Sequence, residues 1–436
     1  MIPSTGSILP GMKPEAHDTD TVGGPLTGIR VLDFTERMQG PYGTQILADF
    51  GADVLKVERA QALTPDGRPD ERYGSRYLYG KDPEDSRFYT AGFLAANRNK
   101  RSIAIDLKNE QGREVARRLV GICDVVYENF RPGVMERLGL GYEVCRAINP
   151  SVIYASASGY GQSGPYVDLP GQDVLVQAVA GFGAMNADAD GRPVPVGMSI
   201  TDVMGGMNGA IGVLAALVHR ALTGEGQRVD VSLLESGIAA QSEQAVHFLN
   251  TQAGEMRRRT PGHALGYIPA PYGFYATKDG YIALSSGRQL AQYSRILGIP
   301  DLSKDPRYND YWAREANREE FVAILEAALR EKTTDEWVQL MRAEDLFCAP
   351  VNNFETAFSD PQVQHTEMVV EIDSPIGPLR LIGVPWKLSR TPAAIRRPPP
   401  LHSQHLHEIL ELAGYSGEEV AALIDSGAVT SPARTS

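Results

Sequence analysis

Ile29-Arg-Val-Leu-Asp-Phe-Thr-Glu-Arg-Met-Gln-Gly-Pro-Tyr-Gly-Thr-Gln-Ile-Leu-Ala-Asp-Phe-Gly-Ala-Asp-Val-Leu-Lys-Val-Glu58 changes its hydrophobic pattern twice within one short run. Ile29 to Phe34 reads as a strand. Gly40-Pro41 opens a helix through Ala48, with proline near the first turn, where its missing N–H costs nothing. Ala52 to Glu58 reads as the next strand. Strand, helix and strand over about 30 residues make a βαβ unit, with a right-handed crossover and ligands gathering at the carboxyl ends of the strands. An acidic residue ending the second strand also suits a dinucleotide-binding fold. The first turn, Thr35-Glu-Arg-Met-Gln-Gly-Pro41, however, lacks the glycine pattern that a pyrophosphate needs for close backbone approach.

Downstream the alternation continues. Ala62 to Asp85 is charged and rich in Gly, Pro and Tyr, which predicts a long surface loop. Strands are predicted at Ile103–Leu107, Val125–Tyr127 and Val152–Ala157, and helices at Gln111–Leu119 and Val134–Leu138. The fold class is therefore α/β, with a mostly parallel sheet in a large domain. Gly159, Gly161 and Gly164 match a phosphate-loop spacing, but Pro165 and Pro170 follow, so no helix N-terminus is available to hold a phosphate. They predict a flexible loop.

Met198 to Thr223 is a run of small and apolar residues broken by glycines. Thr201 or Asp202 is the expected N-cap of a helix reaching Leu222. Gly205, Gly206, Gly209 and Gly212 each weaken a helix by about 1 kcal/mol, so they imply close approach of another backbone or a ligand. Asp202 has two readings, a helix cap and a chemically active carboxylate. After a turn at Gly224–Gln227, a strand is expected at Arg228–Leu233 and helix through Leu249. Strands at Tyr272–Ala276 and Tyr281–Ser285, with helices at Gln289–Leu297, Ala316–Leu329 and Thr334–Ala343, make a smaller α+β domain. Strands at Val369–Ile372 and Leu379–Leu381 follow. The expected division is a disordered tail at 1–24, a large domain at 25–222, a small domain at 223–345, and a return to the large domain with C-terminal helices at 346–436.

Composition limits function more than fold. The chain has 436 residues, 42% hydrophobic and 22% charged, as in ordinary globular proteins. A formal net charge of −12 argues against nucleic acid and anionic membrane as partners. Asn208, His219 and Arg220 within Val203–Leu222 favour a buried helix over a membrane span. The three cysteines, Cys123, Cys145 and Cys348, form neither a disulfide framework nor a zinc pattern, which suits a cytoplasmic setting. His402, His405 and His407 lie close together, but no Cys or paired acid completes a metal site, so no metal is expected. Asn97-Arg98-Asn99-Lys100-Arg101, Lys56 with Arg59, and Arg131 fall where strands are predicted to end. They suit either a phosphorylated ligand or a solvated surface.

Several ordered motifs then go beyond periodicity. Pro25-Leu-Thr-Gly-Ile-Arg-Val-Leu-Asp33, Gly40-Pro41 with Leu47-Ala-Asp-Phe-Gly-Ala-Asp-Val-Leu-Lys-Val-Glu58, Asn99-Lys-Arg-Ser-Ile103, Glu128-Asn-Phe-Arg-Pro-Gly133 and Thr223-Gly-Glu-Gly-Gln227 together resemble the class III CoA-transferase (CaiB/BaiF) family. The match runs from Pro25 to Leu234 and resumes at Ala349–Pro361 and His405–Val429. The resemblance implies a Rossmann-like large domain, a small domain and an interlocked homodimer. It implies no tightly bound cofactor, with coenzyme A or acyl-CoA and a small carboxylic acid as substrates. By position, Arg37, Arg59, the stretch Ile105 to Lys108, Asn129 and Phe130 would contact CoA. Met38, Gln162, Gln172 and Asp173 would border the acyl group, and Asp202 falls on the family's catalytic aspartate.

The resemblance also implies how the acid works. Asp202 would attack an acyl-CoA, with succinyl-CoA as the candidate donor, to give an anhydride and then an aspartyl-CoA thioester. A helix N-terminus favours its ionised form by about 0.3–1 kcal/mol, up to about 2 when partly buried. Backbone N–H groups of Gly159–Gly164 are expected to stabilise the tetrahedral intermediates, and the helix glycines to leave room for a thioester and a second subunit. The alternatives are a 2-methylacyl-CoA racemase or epimerase and a non-catalytic CoA-binding protein. Racemases carry Gly-His-Asp where this chain has Gly171-Gln172-Asp173, and glutamine exchanges no proton at neutral pH.

Overall fold

The structure is a computed structural model that describes residues 23–60, 90–188, 190–251, 264–285, 289–375 and 377–432. Of the tail expected at 1–24 all but residues 23 and 24 lies outside the described residues, as does the loop expected at 62–85.

The strands, in chain order, are β1 (Arg30–Asp33), β2 (Asp53–Arg59), β3 (Lys100–Ile105), β4 (Val125–Glu128), β5 (Ile153–Ser158), β6 (Arg228–Ser232), β7 (Tyr272–Ala276), β8 (Tyr281–Ser285), β9 (Cys348–Pro350), β10 (Val369–Ile372), β11 (Leu379–Ile382) and β12 (Val429–Thr430). Seven form one sheet in the order β12-β3-β2-β1-β4-β5-β6. All neighbours run parallel except β12, which is antiparallel to β3. Without β12 this is the Rossmann order, in which the chain turns back at β1 and leaves a crevice between the carboxyl ends of β1 and β4.

Burial on both faces explains the near-continuous apolar runs of the inner strands. Val31, Val54, Val125 and Ile153 point to one side, where they meet the helix Gln39–Asp49 and the central helix Ile200–Thr223. Their neighbours Leu32, Leu55, Val126 and Tyr154 point to the other, against the helix Glu110–Ile122 and the C-terminal helices. The period-2 alternation thus feeds two cores, one on each side of the sheet.

The chain divides into two compact units, one of residues 1–176, 199–240 and 362–436, the other of 177–198 and 241–361. Residues 223–240, expected in the smaller domain, belong to the first unit because β6 is paired with β5. Conversely 346–361, expected to rejoin the large domain, stays with the second, since β9 pairs with β8. The helix expected to run through Leu249 is two, Leu233–Ala240 and Ser242–Asn250, parted at Gln241. The second unit is a three-stranded antiparallel sheet whose core includes Tyr275, Ile282, Phe321 and Trp337. The central helix is buried on one face only: Ile211, Val218 and Leu222 remain 59–63% exposed.

Candidate active site

A cavity of about 570 Å³ opens at the crevice the topology predicts, entirely within the first unit. Arg37 and Gln39 enter it after β1, Asn129 to Pro132 after β4, Ser158 to Gly161 after β5 and Leu233 after β6. Gln172, Asp173, Ser199 and Asp202 complete the wall. The structure therefore brings six of the residues singled out in the sequence to one space: Arg37, Asn129, Phe130, Gln172, Asp173 and Asp202.

Asp202 stands in the first turn of the central helix but does not cap it. The N-cap is Ser199, whose side chain makes no capping bond. The cap comes from a distant residue. Asp173 Oδ1 accepts the Thr201 N–H at 2.8 Å, the Thr201 hydroxyl at 2.8 Å and the Asp202 N–H at 3.4 Å. Among the described residues no side-chain hydrogen bond to the Asp202 carboxylate is found, so its oxygens are left to the cavity. Its acidity also departs from the expectation. Burial, with the neighbouring Asp173 charge second, pushes the Asp202 carboxyl up to about 7, because desolvation of an anion outweighs a helix N-terminus.

A backbone contact places that cap. A Cβ on Gly159 would lie 2.5 Å from Gly171 Cα, and one on Gly171 would lie 2.4 Å from Gly159 Cα. Only two glycines permit this approach, which sets Gln172 and Asp173 against the helix start. The same loop is less free than expected to stabilise an oxyanion, since the Gly161 N–H is donated to Ser158 Oγ at 2.9 Å.

The glycines of the central helix serve packing rather than a thioester or a second subunit. A Cβ on Gly206 would come within 2.6 Å of the Gln39 carbonyl oxygen, and one on Gly209 within 1.8 Å of the Tyr127 hydroxyl. On Gly205 it would sit 2.8 Å from Gln39 Nε2, and on Gly212 2.7 Å from Val229. The helix Gln39–Asp49 thus lies almost backbone to backbone on the central helix. Gln39, which sequence reasoning missed, rests one turn beyond Asp202 on the same helix face. Its only sequence signal was its place beside Gly40-Pro41.

The basic cluster proves largely internal. Asn97 to Arg101 leads into β3 rather than ending a strand. Lys100 is fully buried, and its ammonium donates toward Asp33 at 3.0 Å, Pro41 O at 2.9 Å, Thr44 at 2.8 Å and Asn97 at 2.9 Å. Burial alone would raise the pKa of Asp33, but Lys100 and Lys56, with Thr35 and Thr44, hold it down to about 2. Lys56 donates to Thr35 O at 2.8 Å, and Arg98 pairs with Asp49 at 2.7 Å. Lys100 and Lys56 brace the turn after β1, whereas Arg98 holds the far end of the helix Gln39–Asp49. Asn129 closes that turn from the other side, its Oδ1 accepting the Glu36 N–H at 2.7 Å and its Nδ2 donating to Glu36 O at 2.8 Å. At the end of β4, Glu128 accepts the Phe130 N–H at 2.8 Å; burial pushes its carboxyl up to about 7 despite bonds from Ser156 and Phe130.

Other expected site residues lie elsewhere. Met38 borders a separate cavity of about 440 Å³, with Tyr42, Leu94 and Trp386. Gln162 is not on the wall of the first cavity, and its Nε2 is buried without a hydrogen bond among the described residues. Arg59 ends β2 and pairs with Glu36 at 2.6 Å. Ile105 is a core residue of β3, and Lys108 is exposed just beyond it. His402 and His405 dock the C-terminal segment: His402 Nε2 lies 2.8 Å from Arg59 O, and His405 Nδ1 accepts the Ser102 N–H at 3.1 Å.

The profile of CoA-transferase family III matches residues 26–406. Succinyl-CoA:glutarate CoA-transferase of Homo sapiens is 35% identical over 409 residues, covering 93% of this chain and 90% of that protein. Succinate–glutarate CoA-transferase of Agrobacterium fabrum is 35% identical over 391 residues, 88% of this chain and 95% of that protein. Among solved structures, a CaiB/BaiF family protein from Brucella suis superposes with a TM-score of 0.77 at 32% identity, over 90% of this chain and all of that one (100%).

Proposed function

The chain belongs to CoA-transferase family III, and we propose that it moves CoA from a dicarboxylic acyl-CoA, succinyl-CoA first among them, to a small carboxylic acid through Asp202. The observation that carries this reading is the Asp202 carboxylate, unbonded by any described side chain and facing the cavity at the switch point. The relatives named for succinate and glutarate support the donor class.

In the proposed reaction an Asp202 oxygen attacks the thioester carbonyl carbon, the C–S bond breaks, and a mixed anhydride and CoA thiolate form. The thiolate then attacks the Asp202 carbonyl carbon, releasing the donor acid and leaving an aspartyl-CoA thioester. An acceptor carboxylate attacks that thioester, expelling the thiolate. The thiolate next attacks the acceptor acyl carbon, restoring Asp202 and forming the new acyl-CoA. A carboxylate suits this chemistry because every intermediate is an activated acyl compound of comparable energy. With its pKa raised to about 7, Asp202 still has an ionised fraction at neutral pH, and the desolvated anion is a stronger nucleophile than a solvated one.

For CoA, Asn129 and Phe130 border the cavity itself, while Arg59 and the stretch Ile105 to Lys108 sit at the carboxyl ends of β2 and β3. Adjacent strands are about 4.8 Å apart. From β4 to β3 this makes a continuous edge along which an extended CoA would lie. The intertwined homodimer is part of the same proposal. Ile211, Val218 and Leu222 form an exposed apolar stripe on the central helix that a second copy would cover. Racemisation is disfavoured by Gln172, which occupies the position of the second base.

The test is a panel of acyl-CoA donors against dicarboxylic, hydroxy and monocarboxylic acids. Transfer that disappears in Asp202→Ala while CoA affinity stays nearly unchanged supports the reading. Substantial transfer by Asp202→Ala, or α-proton exchange with solvent deuterium, contradicts it.

A further inference from the structure

We propose that the Arg37 guanidinium takes the distal carboxylate of a dicarboxylic acyl group, and so selects dicarboxylic over monocarboxylic thioesters. This rests on the CoA-transferase reading above and takes Arg37 out of the set assigned to CoA.

Electrostatics poses the requirement. The cavity wall already holds Asp173 and Asp202. A dicarboxylic acyl-CoA brings a further negative charge toward them, and without a cation nearby that approach is repulsive. Among the described residues the wall carries two such cations, Arg37 and Arg131. Arg131 sits on the exposed loop after Phe130, on the side assigned to CoA, where phosphate is the natural partner.

Arg37 is placed differently. It holds a φ of 70°, a left-handed conformation that few side chains adopt. Strain of this kind persists only where the surroundings impose it, and here they do so on both sides. Thr35 donates its N–H to Asp33 Oδ1 at 2.9 Å and receives the Lys56 ammonium on its carbonyl. Glu36 is held through its backbone by both ends of the Asn129 amide and through its carboxylate by Arg59. Two residues further on, Gln39 is buried against the central helix at Gly205, one turn from Asp202. The turn is thereby fixed beside the Asp202 face of the helix, with Arg37 directed into the same cavity. A substrate carbonyl at Asp202 and a carboxylate at Arg37 would thus both lie on the wall of one cavity.

Arg37→Gly is the natural test, because glycine adopts a φ of 70° without strain and the fold is not put at risk. The quantity read is the ratio of kcat/KM for succinyl-CoA to that for butyryl-CoA, whose distal group is a methyl, at one fixed glutarate concentration. A lost charge-assisted pair predicts that the ratio falls about 10- to 100-fold in Arg37→Gly and recovers in part in Arg37→Lys. Both values falling together with the ratio unchanged would assign Arg37 to CoA and overturn the proposal. So would a wild-type enzyme that uses both thioesters equally. A wild-type enzyme that transfers neither thioester overturns the CoA-transferase reading itself, and this proposal with it.

Discussion

Replacing Asp202 by Asn should stabilise the protein at neutral pH while removing its activity. The native carboxyl is pushed up to about 7 from an ordinary 3.8. Between those values the native state holds a proton that the unfolded chain has released. Stability therefore falls as pH rises through this window, and the full penalty is present above pH 7. Three units at about 1.4 kcal/mol each set a ceiling of about 4 kcal/mol. Asparagine keeps the shape, lacks the charge, and leaves the Asp173 cap on Thr201 intact. Urea unfolding of both proteins between about pH 4.5 and pH 8 reads the difference, since contributions from Glu128, Asp33 and other groups not facing Asp202 are common to the pair, and only the neighbouring Asp173 changes with it. Asp202→Asn should be more stable by about 2–4 kcal/mol at pH 8, with the advantage shrinking toward zero near pH 4. A difference that does not change with pH, or an Asn variant less stable at pH 8, would refute the claim that Asp202 is kept as a costly buried anion for function.

Three other outcomes follow from the same geometry. Because Asp202 attacks in its ionised form, log kcat/KM should rise with unit slope below about pH 7 and level off above it, a profile that flat acid-limb kinetics would contradict. Asp173→Asn keeps the acceptor oxygen but removes the charge, so it should move that limb to lower pH; Asp173→Ala should in addition lose the remote cap, about 0.5–2 kcal/mol by thermal or urea unfolding. Gly209→Ala drives a methyl into the buried Tyr127 hydroxyl and should cost about 1–3 kcal/mol despite better helix propensity, whereas Tyr127→Phe, whose lost hydroxyl has no hydrogen-bond partner among the described residues, should be neutral or stabilising and should relieve the Gly209→Ala defect in the double variant.

Much of the large unit was legible because its signals are local. The apolar runs at Val31, Val54, Val125 and Ile153 mark strands buried on both faces, and the alternating Tyr272–Ala276 and Tyr281–Ser285 mark a hairpin whose observed limits agree with those expected. Strand order and the crevice follow from βαβ topology once those strands are granted. What the sequence concealed depends on contacts between distant residues. Asp173 caps a helix that starts 27 residues later, so no local pattern distinguishes Asp202 as uncapping and unbonded. Lys56, Arg98 and Lys100 look like ligand-binding cations until Asp33, Asp49 and Thr35 are seen to take their charges and donors. The acidity of Asp202 departs from the sequence-based expectation because a helix N-terminus is visible in sequence and burial is not. The short strands β9 and β12, three and two residues long, carry too little pattern to be read at all.

The proposed reaction stands on Asp202 becoming covalently acylated and then thioesterified. Incubation with succinyl-CoA, quenching with hydroxylamine and mass spectrometry of the tryptic peptides tests it most directly. The expected result is a hydroxamate on Asp202 that forms only when succinyl-CoA is present and is absent in Asp202→Asn. Steady transfer with Asp202 unmodified, or the hydroxamate on another carboxylate such as Asp173, would contradict it.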